Sequence, residues 1–183
     1  MGLGVFPGTH KRFLGMLGMH GTYQANMSMH NADLIIAIGA RFDDRITNTP
    51  KLFAPNAKII HLDVDYSSVS KIIEANIAVF GQVKNSLLEM IKLLEAKKEL
   101  IDPKKILPWK EQISDWKSQH GLNHEMHLCE TDDKPIMPQA VVQHIYNITN
   151  GKAFITSDVG QHQMFAAQYY HFDEPRKWIN SGG

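Results

Sequence analysis

The sequence has little cysteine, no long apolar run and no excess of either charge. Its single cysteine, Cys129, excludes an internal disulfide and a cysteine-rich zinc site, and it favours a reducing, cytoplasmic setting. No apolar run approaches the roughly 18 residues that a membrane span requires. The 19 basic and 19 acidic side chains cancel, which argues against a nucleic-acid surface. With 183 residues, 43% of them hydrophobic, the chain has the composition of one or two globular domains.

Both ends of the sequence are rich in glycine. The chain begins in a loop-like stretch, and it stops on Ser181-Gly182-Gly183 directly after an apolar segment. We therefore expect a piece of a longer protein, with a flexible tail as the alternative interpretation.

Strand-like and helix-like segments alternate along the chain. Short apolar runs predict strands at 34–39, 57–65, 77–81, 153–159 and 177–180. Intervening segments predict helices at 22–32, 67–75, 83–98, 108–120, 138–148 and 160–170. This alternation is typical of α/β folds with parallel sheets. A polar stretch with several prolines, 99–137, separates most of one sheet domain from the start of another.

Polar residues follow the first three predicted strands, at the edge where open parallel sheets bind ligands. They are Gly39-Ala40-Arg41-Phe42-Asp43-Asp44-Arg45, Asp63-Val64-Asp65 and Gly81-Gln82-Val83. An acid there suits ribose hydroxyls and an arginine suits phosphate, which indicates a nucleotide-containing cofactor. The alternative is local: the arginines and aspartates pair and cap the next helix. Neither G-x-G-x-x-G after a strand nor a P-loop is present.

A second candidate site is the predicted strand-to-helix turn Ser157-Asp158-Val159-Gly160-Gln161-His162-Gln163-Met164. Backbone N–H groups at such a turn suit an anion, and Asp158 and His162 are possible acids or bases. The alternative is that Asp158 caps the helix and His162 is only exposed. His124, Glu125, His127 and Cys129 fit no closed zinc pattern, so we predict no metal site.

Six segments, taken in chain order, carry a resemblance to a known family. They are 17–22, 33–39, the RFDDR run at 41–45, 61–65, the DVGQHQM run at 158–164, and 178–183. Together they resemble the family of acetolactate synthase (acetohydroxyacid synthase) large catalytic subunits over nearly the whole chain. The RFDDR run resembles the FAD-containing biosynthetic branch of that family.

The resemblance implies a fold and a set of cofactors. It implies the C-terminal portion of a parallel-sheet, FAD-binding-type central α/β domain at 1–98, a connector with a helix at 99–137, and the truncated start of a thiamine-diphosphate-binding α/β domain at 138–183. The implied parent enzyme uses thiamine diphosphate, Mg²⁺ and FAD, the last without net redox chemistry. It decarboxylates pyruvate and joins the two-carbon unit to a second 2-oxo acid, pyruvate or 2-oxobutyrate, in branched-chain (valine and isoleucine) biosynthesis. A homodimer or tetramer of large subunits, with a possible small regulatory subunit and no nucleic acid or membrane, is also implied.

The resemblance also assigns residues. Its FAD contacts fall on Gly2, Leu17, Gly18, Met19, His20, Gly39, Ala40, Arg41, Phe42, Asp43, Asp63, Val64, Gln82 and Val83. Its thiamine diphosphate contacts fall on Val159, Gly160, Gln161 and His162. Asp44 and Arg45 fall at the border of the substrate channel.

Some family features have no counterpart in this sequence. Gln82 stands where the family usually has aspartate, so that FAD contact departs from the pattern. The catalytic glutamate and the magnesium-binding segment of the family match nothing here, so we expect no catalytic residue, no metal ligand and an inactive isolated chain. The alternatives are another FAD-containing thiamine diphosphate enzyme, of the glyoxylate carboligase or pyruvate oxidase type, a non-catalytic nucleotide-binding module, and a structural α/β domain.

Overall fold

A computed structural model of the protein describes residues 2–122 and 135–180. Within these residues the chain forms two compact units. The three-stranded unit spans Asn26–Asp115, and the two-stranded unit comprises the described residues up to Ala25 and from Trp116 onward. No helix of the described part is long and apolar enough to cross a bilayer.

The three-stranded unit is built on a parallel sheet in the order β1–β2–β3. Its strands are β1 (Leu34–Ile38), β2 (Lys58–Asp63) and β3 (Ile77–Phe80). The register pairs Ile36 with Ile60 and Ile60 with Ile77. Parallel pairing confirms the prediction from alternating strand and helix signals, and β2 is shorter at both ends than the sequence indicated.

Four helices accompany this sheet in the chain. They are α1 (Tyr23–Asn31), α2 (Asp44–Thr47), α3 (Val83–Ala96) and α4 (Leu107–His120), and the limits of the three-stranded unit fall inside α1 and α4. Short 3₁₀ turns lie at Pro50–Leu52, Lys98–Leu100 and Pro103–Ile106. Helix α3 packs against strand β2.

Side chains on the two faces of the three-stranded sheet differ in burial. Ile35 and Ala37 of β1 are buried in a core that includes Phe42, Ala54, Ile59 and Ile73. On the opposite face, Leu34, Ile36 and Ile38 are 48%, 43% and 45% exposed. Parallel sheets are usually covered on both faces, so this uncovered apolar face is unusual.

One predicted helix, 67–75, is wrong, because this segment forms turns. The Asp65 carboxylate accepts hydrogen bonds from Ser67 N and Ser67 Oγ at 2.8 Å and from Ser68 Oγ at 3.2 Å. Ser70 has a φ of +58°. Short polar side chains that bond to nearby backbone compete with helix formation, and here that competition decides the conformation.

The two-stranded unit contains a second parallel sheet. In chain order it has α5 (Pro138–Thr149), β4 (Ile155–Ser157), α6 (Gln161–Tyr169) and β5 (Trp178–Asn180), and Ile155 pairs with Trp178. Its buried core consists of Leu3, Ala166, Ala167, Tyr170, Phe172 and Trp178.

The N-terminal loop belongs to the two-stranded unit by its contacts. Gly8 N donates to Phe172 O at 2.8 Å, and Thr9 donates to the Asp173 carboxylate through both N and Oγ1 at 2.9 Å. Leu3 lies in the same core as Phe172. These contacts join segments more than 160 positions apart, which no local pattern predicts.

Candidate functional site

The carboxyl ends of β1, β2 and β3 meet at one edge of the sheet. Gly39 N donates to Leu62 O at 2.8 Å, and Gly81 N donates to Asp63 O at 3.1 Å. Gly39 has a φ of +59°, and a side chain built there would meet no atom of the described residues within 4 Å. The backbone at Gly39 is therefore open, and the cofactor site that the sequence predicts at this edge stays a prediction.

The RFDDR run begins with an exposed ion pair. Arg41 Nη2 lies 2.9 Å from Asp43 Oδ2, and the two side chains are 67% and 47% exposed. The pairing expected from the local interpretation is thus present. The expected capping is absent, because Asp43 occupies the N-cap of α2 but its side chain makes no cap hydrogen bond. The Arg41 side chain is largely exposed, so a phosphate could reach it.

Phe42 is turned away from this edge. Its φ is +54° and its residue exposure is 6%. The ring packs edge-on against Phe53 at 5.8 Å and against His61 at 5.2 Å between centroids. A positive φ is uncommon outside glycine, and here it directs the Phe42 side chain into the core between two exposed neighbours. Phe42 therefore presents only its backbone at the sheet edge.

Asp63 and Asp65, which the sequence grouped together, have different environments. Asp65 is exposed, and its carboxylate is engaged by Ser67 and Ser68. The Ser67 hydrogen bonds favour the charged form and lower the pKa of Asp65. Asp63 is 8% exposed, and its Oδ1 accepts from Asp65 N at 2.9 Å. Since Asp65 serves the turn, Asp63 is the acid better placed for a ligand hydroxyl.

The remaining candidates of this unit lie at helix starts. Gln82 is exposed at the N-cap of α3 and makes no side-chain cap bond, and Val83 is the first residue of that helix. Asp44 and Arg45 are exposed in the single turn of α2. Val64, beside Asp63, is 59% exposed.

The candidates at Leu17 to His20 lie in the other unit. Gly18–His20 forms a 3₁₀ turn that Gly21 N closes by donating to Gly18 O at 2.9 Å. Gln168 Nε2 of α6 donates to His20 O at 3.2 Å. Met19 is 55% exposed. This loop is therefore fixed to α6, the helix that also begins at the second candidate site.

The turn before α6 holds the four thiamine diphosphate candidates. Val159 is 66% exposed, and Gly160 is the N-cap of α6. Asp158 Oδ1 accepts from Val159 N at 2.7 Å, so Asp158 does not cap the helix. A side chain built on Gly160 would come within 2.8 Å of His162 Cε1, which shows that the imidazole lies over this glycine. Gln161 and His162 are exposed and accessible.

The predicted FAD residues are divided between the two units. Gly2 and Leu17 to His20 belong to the two-stranded unit, and the strand-end residues belong to the three-stranded unit. Gly2 is exposed in the opening loop. Among residues 2–122 and 135–180, no three histidine, cysteine, aspartate or glutamate side chains cluster as metal ligands. The weak metal candidates His124, Glu125, His127 and Cys129 lie outside the described residues.

Two residues at these sites were missed by the sequence reasoning. Gln168 holds the Leu17 to His20 loop across 148 positions, and no local signal marks it. His61 is fully buried beside Asp63. The sequence does carry a signal for His61, because a titratable aromatic residue interrupts the apolar stretch of β2 there.

Comparisons with known proteins show what the whole chain is similar to. Residues 1–90 match the family described as the thiamine pyrophosphate enzyme central domain. Over 183 residues the chain is 50% identical to the acetolactate synthase isozyme 3 large subunit of Escherichia coli (strain K12), a match that covers 100% of this chain and 31% of that protein. It is 51% identical to the acetolactate synthase large subunit of Buchnera aphidicola subsp. Schlechtendalia chinensis, with the same coverage.

A plant relative matches as well. The chain is 39% identical over 183 residues to acetolactate synthase 1, chloroplastic, of Nicotiana tabacum, covering 100% of this chain and 26% of that protein. The chain thus spans about a third or less of the length of the curated relatives it matches. Because the identity extends over the full 183 residues, the chain is similar along its whole length to one segment of acetolactate synthase large subunits, and its first 90 residues match the central domain of thiamine pyrophosphate enzymes.

Proposed function

We propose that this chain is the segment of an acetolactate synthase that carries part of an FAD site and part of a thiamine diphosphate site. The whole enzyme would decarboxylate pyruvate and join the two-carbon unit to pyruvate or 2-oxobutyrate. The observation that carries this proposal is 50% identity, over all 183 residues, to a protein named for that activity.

The strand-end edge suits FAD by the chemistry of its groups. The exposed Arg41 guanidinium suits the diphosphate, and the Asp63 carboxylate suits a ribose hydroxyl. The open backbone at Gly39 would permit close approach of the cofactor, because no described atom lies within 4 Å of the position a Cβ would occupy. The resemblance also assigns Leu17 to His20 to FAD, and Gln82 would hydrogen-bond in place of the usual aspartate.

The turn before α6 suits part of thiamine diphosphate. This cofactor supplies an electron sink for decarboxylation, and the protein supplies orientation and electrostatics. Val159 and Gly160 present backbone at the turn, and Gln161 and His162 present exposed polar side chains. The Mg²⁺ ligands and the catalytic glutamate would come from outside these 183 residues, so the isolated chain would be inactive.

The same proposal covers the organisation of the whole protein. Residues 1–98 would belong to the central domain, 99–137 to a connector and 138–183 to the diphosphate-binding domain. The exposed apolar face of β1 supports a larger assembly, because parallel sheets are usually covered on both faces. A homodimer or tetramer, a small regulatory subunit and a cytoplasmic location stay predictions.

An exchange chimera tests the activity directly. This chain would replace the 183 matched residues of the Escherichia coli isozyme 3 large subunit, and acetolactate formation from pyruvate would be measured with thiamine diphosphate, Mg²⁺ and FAD. We expect a chimera that retains FAD and makes acetolactate. A chimera that melts cooperatively, retains FAD and makes no acetolactate would instead favour a nucleotide-binding module.

Two arginine variants of the chimera test the FAD site. We expect Arg41→Ala to weaken FAD binding about ten- to hundredfold, the loss of roughly 1.5–3 kcal/mol from hydrogen bonds to a charged group. Arg12→Ala, at another exposed arginine, is the matched control and should bind FAD as the parent chimera does. Equal affinity in both variants would reject the assignment of Arg41.

A further inference from the structure

Within the part of the chain that the structure describes, the buried imidazole of His61 has no hydrogen-bond partner. His61 is 0% exposed, and neither Nδ1 nor Nε2 is bonded. Its register neighbours on β1 and β3 are Ala37 and Ala78, and the Phe42 ring packs edge-on against it at 5.2 Å. A buried polar group without a partner costs free energy, so a purely structural role would favour an apolar side chain at this position.

The charged group next to His61 is Asp63, two residues along β2 and on the same face of the strand. His61 Nε2 lies 3.8 Å from Asp63 Oδ2, beyond hydrogen-bond distance. The other carboxylate oxygen, Oδ1, already accepts from Asp65 N at 2.9 Å. A movement of about 0.9 Å would bring Nε2 and Oδ2 to an ordinary N–H···O distance.

We propose that His61 is a positioning residue that donates from Nε2 to Asp63 Oδ2 and orients this carboxylate for a ribose hydroxyl of the bound cofactor. The inference rests on the proposed function, in which Asp63 contacts FAD. With Oδ1 held by Asp65 N and Oδ2 by His61, the carboxylate plane is fixed from both sides. A hydrogen bond to an ionised acceptor is about twice as strong as a neutral one, so the pair would hold its geometry.

Three substitutions in the exchange chimera separate positioning from packing. His61→Leu removes the donor and keeps a similar volume. His61→Gln places an amide N–H near the Nε2 position, whereas His61→Asn places one near Nδ1. We expect His61→Leu and His61→Asn to weaken FAD binding about tenfold, and we expect His61→Gln to bind FAD within about threefold of the parent.

The melting temperature of the FAD-free chimera provides the second measurement. We expect His61→Leu to melt at the parent temperature or above, because replacing an unpaired buried polar group by an apolar one is neutral or stabilising. Lower FAD affinity together with unchanged or higher apo stability is a combination that lost packing would not produce.

The outcomes distinguish the inference from the proposed function. If the parent chimera binds FAD and His61→Leu binds it equally, the role of His61 is wrong while the FAD site stands. If His61→Gln and His61→Asn weaken FAD binding to the same extent, the proposed donation from Nε2 is wrong. A cooperatively melting parent chimera that binds no FAD overturns the proposed FAD site, and the positioning role with it.

Discussion

The hydroxyl group of Tyr170 links three elements of the two-stranded unit, and its removal gives a measurable prediction. Tyr170 is 2% exposed and directly follows α6. Its hydroxyl lies 3.0 Å from Thr149 Oγ1, at the end of α5, and accepts from Ala153 N at 3.1 Å, just before β4. This hydroxyl therefore helps to hold the strand that leads to the candidate thiamine diphosphate turn.

The expected cost of Tyr170→Phe follows from the partners it leaves. Thr149 Oγ1 keeps its bond to Ile145 O at 2.7 Å, whereas Ala153 N loses the acceptor that the structure gives it. An unsatisfied donor costs about 1–3 kcal/mol, so we expect a loss of about 2 kcal/mol. For a chain of this size that lowers Tm by about 4–8 °C.

Thermal and urea unfolding of the 183-residue chain would measure this loss. Tyr66→Phe is the matched control, because Tyr66 is 73% exposed. Removal of its hydroxyl should change the free energy of unfolding by less than about 0.5 kcal/mol. If Tyr170→Phe unfolds like the parent chain, the hydroxyl does not stabilise the junction and the reasoning is refuted.

Three further predictions concern strain and pH. Gly15→Ala should lower the free energy of unfolding in urea by about 3 kcal/mol or more, because φ is +100° and the new Cβ would lie 2.5 Å from Thr22 Cγ2. Gly39→Ala, with open space and a φ of +59°, should lower it by only about 1–2 kcal/mol. Equal losses in the two variants would contradict the predicted clash at Gly15. Burial lowers the pKa of His171 below its ordinary value of 6.5, so the free energy of unfolding should fall as pH drops through 6.5 toward the folded pKa. His171→Phe should flatten this slope in melts across pH. The hydrogen bonds that lower the pKa of Asp65 below 3.8 should stabilise the fold above that pH, and this stabilisation should be lost as pH falls through the folded pKa. Asp65→Asn should therefore make the loss of stability at acid pH less steep. An unchanged acid dependence would show that the Asp65 turn contributes nothing to stability.

The sequence by itself predicted the class of fold and the resemblance to acetolactate synthase large subunits. Short apolar runs at 34–39 and 57–65 were enough to predict parallel strands, because strands buried in parallel sheets carry continuous apolar residues. The edge that carries Gly39, Arg41 and Asp63 was predictable for the same reason, since parallel strands bring their carboxyl ends together. The long match to acetolactate synthase large subunits confirmed the resemblance seen in six short segments.

Only the tertiary structure decided which side chains are available at that edge. Phe42 is turned into the core by a positive φ, and Asp65 is engaged by its own turn, which also replaces the predicted helix at 67–75. The contacts of Thr9 with Asp173 and of Gln168 with His20 join residues far apart in the chain. Periodicity and propensity describe neighbours along the chain, whereas these outcomes depend on which distant groups burial brings within hydrogen-bond reach.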